Sequence, residues 1–219
     1  MKSIDTKQYT FENFEVPDPI RIQKVINLIR QYFKEIKGLN ILECGVANGG
    51  VVDLLNKEGT SCFGVDINPR QIGGVKIIQK DLNEGFPDFK IKFDVIFAGE
   101  VIEHLFDDTK FIRNCREFLK PNGLLIITTP NLVFSVNRLL MLFGRMPMFA
   151  YASYHYHIYN KKTIENLIKQ EKFEILKTTS SHILFSTRRN KLGKIFEILG
   201  NFFPSLGAHL IICARNVKK

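Results

Sequence analysis

Two groups of residues in this chain have the types and spacing for chemistry. In the first, three acids stand at the ends of short apolar runs: Glu43 just before Gly45, Asp66 after Gly64 and Val65, and Asp81 after Gln79 and Lys80. The run at Ile41 and Leu42 breaks into a small-residue turn, Gly45 to Gly50 with Ala47, Asn48 and Gly49 inside it, and then into a helix-forming stretch. Small residues at a strand end let a ligand approach the backbone, and the helix start offers free N–H groups, which together make a nucleotide-cofactor cradle. In the second group, Gly99, Glu100, Glu103 and His104 follow the apolar run at 93–98. Ligands of open α/β sheets bind beyond the carboxyl ends of the strands. His104 can serve there as a general base, because an unperturbed imidazole titrates near neutrality. Glu100 and His104 are therefore the candidate catalytic residues.

These groups need a scaffold of strands and helices in alternation. Pro19 opens a stripe of Ile22, Val25, Ile26, Ile29 and Phe33 at helical spacing, which predicts an amphipathic helix over 19–37, ended by Gly38. Strands are expected at 39–44, 62–66, 75–79, 93–98, 124–128, 173–178 and 208–214, and helices at 49–57, 109–119 and 161–170, the last capped by Asn160. The connection between the second and third strands holds Pro69, Gly73 and Gly74, so its helix should shrink to a turn or two. The alternation implies a doubly wound parallel sheet. Residues 1–219 are read as one domain, with lid or cap inserts near 131–159 and 186–206.

The 219 residues carry a formal charge of +9, and 12 Lys or Arg against 4 acids lie from Asn160 onward. An RNA, an anionic membrane surface or an acidic substrate is the implied partner of that basic carboxyl-terminal quarter. Surface lysines serving solubility are the plain alternative. Cys44, Cys62, Cys115 and Cys213 show no Cys-x-x-Cys spacing and the first residues lack an apolar leader core, so a reduced, cytoplasmic location is expected, with a position peripheral to a membrane as the alternative.

The cradle, the acids Asp66 and Asp81 and the Glu-x-x-Glu-His after the fourth strand resemble those of class I S-adenosylmethionine-dependent methyltransferases. The stretch Thr128, Thr129, Pro130, Asn131 resembles the ubiquinone-biosynthesis O-methyltransferase subfamily. The resemblance implies a Rossmann-like, mostly parallel seven-stranded sheet with helices on both faces and an antiparallel last strand. It implies that Gly45, Ala47, Asn48 and Gly49 wrap the methionine moiety of S-adenosylmethionine, with Glu43 supporting the turn. Asp66 would take the ribose hydroxyls, both of which one carboxylate can accept. Ile67 and Leu82 would flank the adenine, Asp81 would accept from its amino group, and Gly99 would border the cofactor. Ala47 departs from the family's glycine. The implied reaction is methyl transfer to an oxygen of a small or lipophilic acceptor. Glu-x-x-Glu-His also resembles small-RNA 2′-O-methyltransferases, which implies a divalent metal held by Glu100, Glu103, His104 and His157 and RNA as the alternative substrate. His155 is assigned a hydrogen-bonding role in a lid, and His182 and His209 none.

Two rivals come from other classes. Gly45, Ala47 and Gly50 with Asp66 nearly satisfy a dinucleotide fingerprint, which would make the protein an NAD-dependent oxidoreductase, although that turn has no use for Glu43. A non-catalytic cofactor-binding protein is the other. Two inserts stay outside these readings: the Met- and Phe-rich 139–149, and a basic amphipathic stretch from Lys191 to Phe203. Either could cover a lipophilic acceptor or rest on a membrane, and a helical cap packed on the sheet is the simpler role.

Overall fold

The computed structural model describes residues 18–47, 50–148, 154–184 and 191–217. Its centre is a seven-stranded sheet of β1 (Asn40–Cys44), β2 (Ser61–Asp66), β3 (Lys76–Gln79), β4 (Phe93–Gly99), β5 (Leu119–Pro130), β6 (Phe173–Ser180) and β7 (His209–Asn216). The strand order is β3-β2-β1-β4-β5-β7-β6. β7 runs antiparallel to both β5 and β6, and the remaining pairs are parallel. The order reverses between β1 and β4, and a crevice at that switch point is where such sheets bind ligands.

The helices are α1 (Pro19–Tyr32), α2 (Gly50–Asn56), α3 (Asp108–Phe118), α4 (Ser135–Leu142), α5 (Lys161–Gln170) and α6 (Lys191–Phe202). Two apolar layers sandwich the sheet. On one face Val25 and Ile29 of α1 and Val52 and Leu55 of α2 pack on Ile41, Val95 and Ile126. On the other, Phe111 and Ile112 of α3 and Ile164 and Ile168 of α5 pack on Leu42, Ile96 and Ile127. Alternate strand residues supply the two layers, as the period of two requires. Each fully buried Ile or Leu contributes about 1.5–3 kcal/mol of transfer free energy.

Asp18 caps α1 by accepting from the Ile20 N–H at 2.9 Å, and Pro19 occupies its first turn. Lys24 locks this helix to the far edge: its ammonium donates to the Ser180 carbonyl (2.7 Å), the Glu197 carbonyl (3.0 Å) and Asn201 Oδ1 (2.8 Å), joining α1, β6 and α6. Burial lowers its pKa to about 8 against the pull of Glu197 and Asp18.

Several expectations need correction. α1 ends at Tyr32 rather than 37, because Phe33 is extended (φ −110°, ψ 123°) and turns the chain toward β1, while Phe33 and Ile36 pack on the core without being helical. The β2–β3 crossover contains no helix: Pro69 and the Gly73–Gly74 pair leave only bends and a turn closed by Val75 N–H to the Ile72 carbonyl. β5 begins at Leu119, with Asn122 in the left-handed region (φ 62°) and a register shift against β4. Among the described residues no helix is long and apolar enough to cross a membrane.

Candidate active site

The cradle forms where β1 runs out. Gly45 takes φ +73°, and its N–H donates to the Val65 carbonyl at 2.8 Å, tying the turn to β2. A Cβ there would lie 2.3 Å from Val101 Cγ2, so only glycine fits. Ala47 adopts φ +44°, a conformation in which a side chain costs free energy. Its N–H donates to Asp66 Oδ2 (2.9 Å), while Asp66 Oδ1 accepts from the Asn68 N–H (2.8 Å). Each Asp66 oxygen keeps a lone pair for a ligand hydroxyl. Glu43, 5% exposed, accepts from the Val52 N–H in the first turn of α2 at 2.9 Å, and burial pushes its pKa up to about 8. Glu43, Gly45, Ala47 and Asp66 thus converge on one turn. Asn48 and Gly49 lie outside the described residues.

The neighbouring strand ends complete the crevice. Ile67 is half-buried beside Asp66, its carbonyl accepting from Gln79 Nε2 at 2.9 Å. Asp81 Oδ1 accepts from both the backbone and the side-chain amide of Asn83, whose Oδ1 accepts from the Phe106 N–H (2.8 Å). That relay holds the post-β3 loop against the post-β4 loop. Leu82 packs on the core, and Gly99 closes β4 where a Cβ would strike the Phe97 ring at 2.6 Å.

Beyond β4 the two acids part. Glu100 bonds to Thr128 (2.9 Å) and Glu103 to Thr129 (3.1 Å), consecutive β5 residues whose side chains take opposite faces. On the α1 face Glu100 meets Arg21 Nη1 at 2.6 Å and His209 Nε2 at 3.7 Å. Burial opposes its ionisation, but Arg21, His209 and the Thr128 hydroxyl outweigh burial and hold its pKa below the usual carboxylate range. Glu100 itself sits at φ +55°, pinned by its N–H to the Thr128 carbonyl at 3.0 Å, a strained conformation of the sort found at functional sites. Glu103, 2% exposed, has its pKa raised by burial and by the Glu100 charge, and its Oε1 is buried with no hydrogen-bond partner.

The predicted metal quartet therefore does not assemble. Glu100 is neutralised by Arg21, and His157 Nδ1 faces Asp108 at 3.6 Å, where the Tyr159 hydroxyl also donates at 2.7 Å. His155 joins the acid instead: among the described residues Glu103, His104 and His155 bring donor atoms within 4.8 Å of one another. The reason is local. The Glu103 carbonyl accepts from the Tyr156 and His157 N–H groups, which draws this segment over Glu103.

His104 Nδ1 lies 3.1 Å from the Tyr154 carbonyl. A carbonyl only accepts, so Nδ1 carries the proton of the neutral ring and Nε2 keeps its lone pair. Burial lowers the pKa of this imidazole, only partly offset by the Tyr154 bond. The ring is therefore neutral at physiological pH, with the Nε2 lone pair available. Alongside lies a small cleft lined by Glu103, Thr129, Leu132, His155, His157 and Tyr159.

Sequence reasoning missed Arg21 and His209, and gave Thr128 and Thr129 no role beyond the subfamily likeness. Arg21 left one trace, since a cation in the first turn of α1 opposes the helix dipole and needs a compensating anion. His209 left none: 109 positions separate it from Glu100, and only the β5–β7 pairing, Pro130 opposite His209, brings it there.

Residues 19–178 match a family model described as a methyltransferase domain. The ubiquinone biosynthesis O-methyltransferase of Azorhizobium caulinodans is 30% identical over 131 residues, 52% of this chain and 52% of that protein, so the chain spans about half that relative's length. Its counterpart from Rickettsia typhi is 28% identical over 208 residues, 86% of this chain and 80% of that protein. In three dimensions, the N-methyltransferase of Bradyrhizobium japonicum solved with S-adenosyl-L-homocysteine shares the fold (TM-score 0.58, 16% identity, 92% of this chain and 90% of that one). The cradle at the β1 end and the switch-point crevice agree with that match, and the chain belongs to the methyltransferase domain family.

Proposed function

We propose that this protein methylates a hydroxyl oxygen of a lipophilic small molecule, using S-adenosylmethionine. The observation that carries the reading is His104, a neutral imidazole with a free Nε2 directly after β4, next to the cofactor crevice. Bound S-adenosylmethionine supplies a methyl carbon activated by its sulfonium. The chain need only align the partners and remove a proton. Gly45 and Ala47 admit the ligand to the backbone, and Asp66 offers acceptors for hydroxyls. His104 Nε2 takes the acceptor's hydroxyl proton as its oxygen gains the methyl. Glu103, whose burial beside the Glu100 charge favours its protonated form, can then donate to an acceptor oxygen. The names of the matched relatives support an oxygen acceptor and a lipophilic substrate, and the family match sets the dinucleotide alternative aside.

A second reading is favoured by the partnerless Glu103 Oε1 beside His104 and His155. That donor set fits a divalent cation, which would lower the acceptor's pKa. An imidazole oriented through a backbone carbonyl suits a ligand as well as a base. The two readings divide on one experiment. Titrate the protein calorimetrically with S-adenosylhomocysteine and with NAD, then assay hydroxylated aromatic acceptors with and without an apolar tail, for wild type and His104→Gln, with and without chelator. The base reading expects S-adenosylhomocysteine but not NAD to bind, chelator to change nothing, and His104→Gln to cut kcat by about 10²–10⁴ with cofactor binding intact. The acid limb of the wild-type profile should fall below the ordinary imidazole value of 6.5. Loss of activity with chelator would favour the metal, and full activity of His104→Gln without any chelator effect would refute both.

A further inference from the structure

A chain of hydrogen bonds runs from Asp81 to the segment that closes over His104. Asp81 stands just beyond β3, at the head of a tight turn closed by the Glu84 N–H on the Asp81 carbonyl (3.1 Å) and the Gly85 N–H on the Leu82 carbonyl (3.1 Å). Asp81 Oδ1 accepts from the Asn83 backbone N–H (2.9 Å) and from Asn83 Nδ2 (3.1 Å), which leaves Oδ2 for the donor of a ligand. Asn83 Oδ1 then accepts from the Phe106 N–H at 2.8 Å. One side-chain amide thus serves a carboxylate on one side and an N–H on the other, and only this orientation satisfies both. Alanine at 83 would remove the link, and aspartate would set a like charge beside Asp81.

Phe106 carries the chain onward. It lies two residues past His104, and its ring packs on that of Tyr156, with centroids 4.5 Å apart and planes at 53°. The Tyr156 and His157 N–H groups donate to the Glu103 carbonyl at 2.8 and 3.2 Å. The Tyr154 carbonyl meets His104 Nδ1 at 3.1 Å, and the His155 ring centroid lies 4.8 Å from that of His104. Seating of 154–159 therefore sets the tautomer of His104 and brings His155 to the cleft. Tyr154, Tyr156 and Ile158 are 40%, 50% and 53% exposed, so burial gives this stretch little hold and a modest bias moves it.

Cofactor binding supplies such a bias. Held through Oδ1 alone, the Asp81 carboxylate keeps freedom to rotate. A ligand amino group bonded to Oδ2 fixes both oxygens, and with them the Asn83 amide and the Phe106 N–H, so the Phe106 ring meets Tyr156 in one place. We infer that Asn83 and Phe106 are positioning residues that couple S-adenosylmethionine binding to closure of 154–159 over His104. The cofactor then binds before the acceptor, and the base is set only once the methyl donor is in place. This rests on the methyltransferase reading, with Asp81 at the adenine amino group. A plain brace between two loops would stabilise the segment equally with and without cofactor, whereas a coupling makes its stability depend on the cofactor.

Amide exchange of the full chain tests this, read by mass spectrometry on peptides spanning 154–160 with and without saturating S-adenosylhomocysteine, while calorimetry measures the binding itself. In the wild type the ligand should slow exchange at Tyr156 and His157 by about 5- to 150-fold, the range of ordinary coupling between sites. In Asn83→Ala, and separately in Phe106→Ala, which trims a half-exposed ring, the ligand should still bind but the slowing should vanish, with exchange of α5 unchanged. By reciprocity each variant should bind S-adenosylhomocysteine more weakly by the factor lost from the slowing. Either variant keeping the wild-type ratio, even with faster exchange throughout, would show a plain brace and overturn the inference. A wild type whose 154–160 amides ignore the bound ligand would do the same. Failure of S-adenosylhomocysteine to bind the wild type in calorimetry would instead overturn the methyltransferase reading, and the inference with it.

Discussion

Replacing Glu43 with Gln should make the protein more stable, and increasingly so as pH rises. Glu43 is 5% exposed at the end of β1, and burial lifts its pKa from 4.5 to about 8 despite the Val52 N–H bond and the Arg21 charge. Between those two values the folded chain holds a proton that the unfolded chain has released. Stability from this group is therefore complete below 4.5 and declines through that window until the folded carboxyl itself ionises near 8. At about 1.4 kcal/mol per pH unit, the gap caps the effect near 5 kcal/mol, and local relaxation brings the expected value to about 3 kcal/mol. Glutamine keeps an oxygen to accept from Val52 and cannot ionise. Urea denaturation of both proteins at about pH 5, 7 and 9 would show near-equal stability at the acid end and a growing advantage for Gln at the alkaline end. Parallel curves, with one constant difference at every pH, would refute the burial argument.

Gly45→Ala should cost about 2–3 kcal/mol, because φ +73° and the 2.3 Å approach to Val101 add up, and should weaken S-adenosylhomocysteine binding in calorimetry. Ala47→Gly, which relieves φ +44°, should be neutral or stabilising by up to about 1 kcal/mol in the same melts. Lys24→Met strands the Ser180 and Glu197 carbonyls, so the thermal midpoint should fall by the equivalent of about 2–3 kcal/mol and the amides of α6 should exchange faster. Unchanged protection of α6 would show that the lysine does not hold that helix.

What the sequence revealed and what it hid divide along contact range. Glu43, Gly45 and Asp66 were readable because their partners are close in sequence: Glu43 reaches Val52, and Asp66 reaches Ala47 and Asn68. Strand positions were readable because buried strands run apolar on both faces. The irregular stretch Tyr154–Tyr159 was not, since alternating Tyr and His give no period that says which ring turns inward. The resemblance points to His157 for the metal and leaves His155 in a lid, and the bonds from Tyr156 and His157 to the Glu103 carbonyl reverse that order. His209 meets Glu100 only because β7 closes the sheet beside β5, and Arg21 reaches the same carboxylate from the first turn of α1.

The turn of the chain after β4 explains why a Glu-x-x-Glu spacing carries two chemistries. Were both acids on one face, their repulsion would have to be relieved by a bound cation or a shared proton. Instead, the positive φ at Glu100 and the short 3₁₀ turn Ile102–His104 turn the chain so that Glu100 and Glu103 meet Thr128 and Thr129 on opposite sides of β5. Arg21 favours ionisation of the first, and burial together with the Glu100 charge favours the proton on the second. The crevice thus has an anionic wall toward α1, compensated by a guanidinium, and on the other side a carboxyl whose burial favours the protonated form. A neutral wall with one free imidazole nitrogen suits an acceptor of low polarity, which an ionised Glu103 would repel.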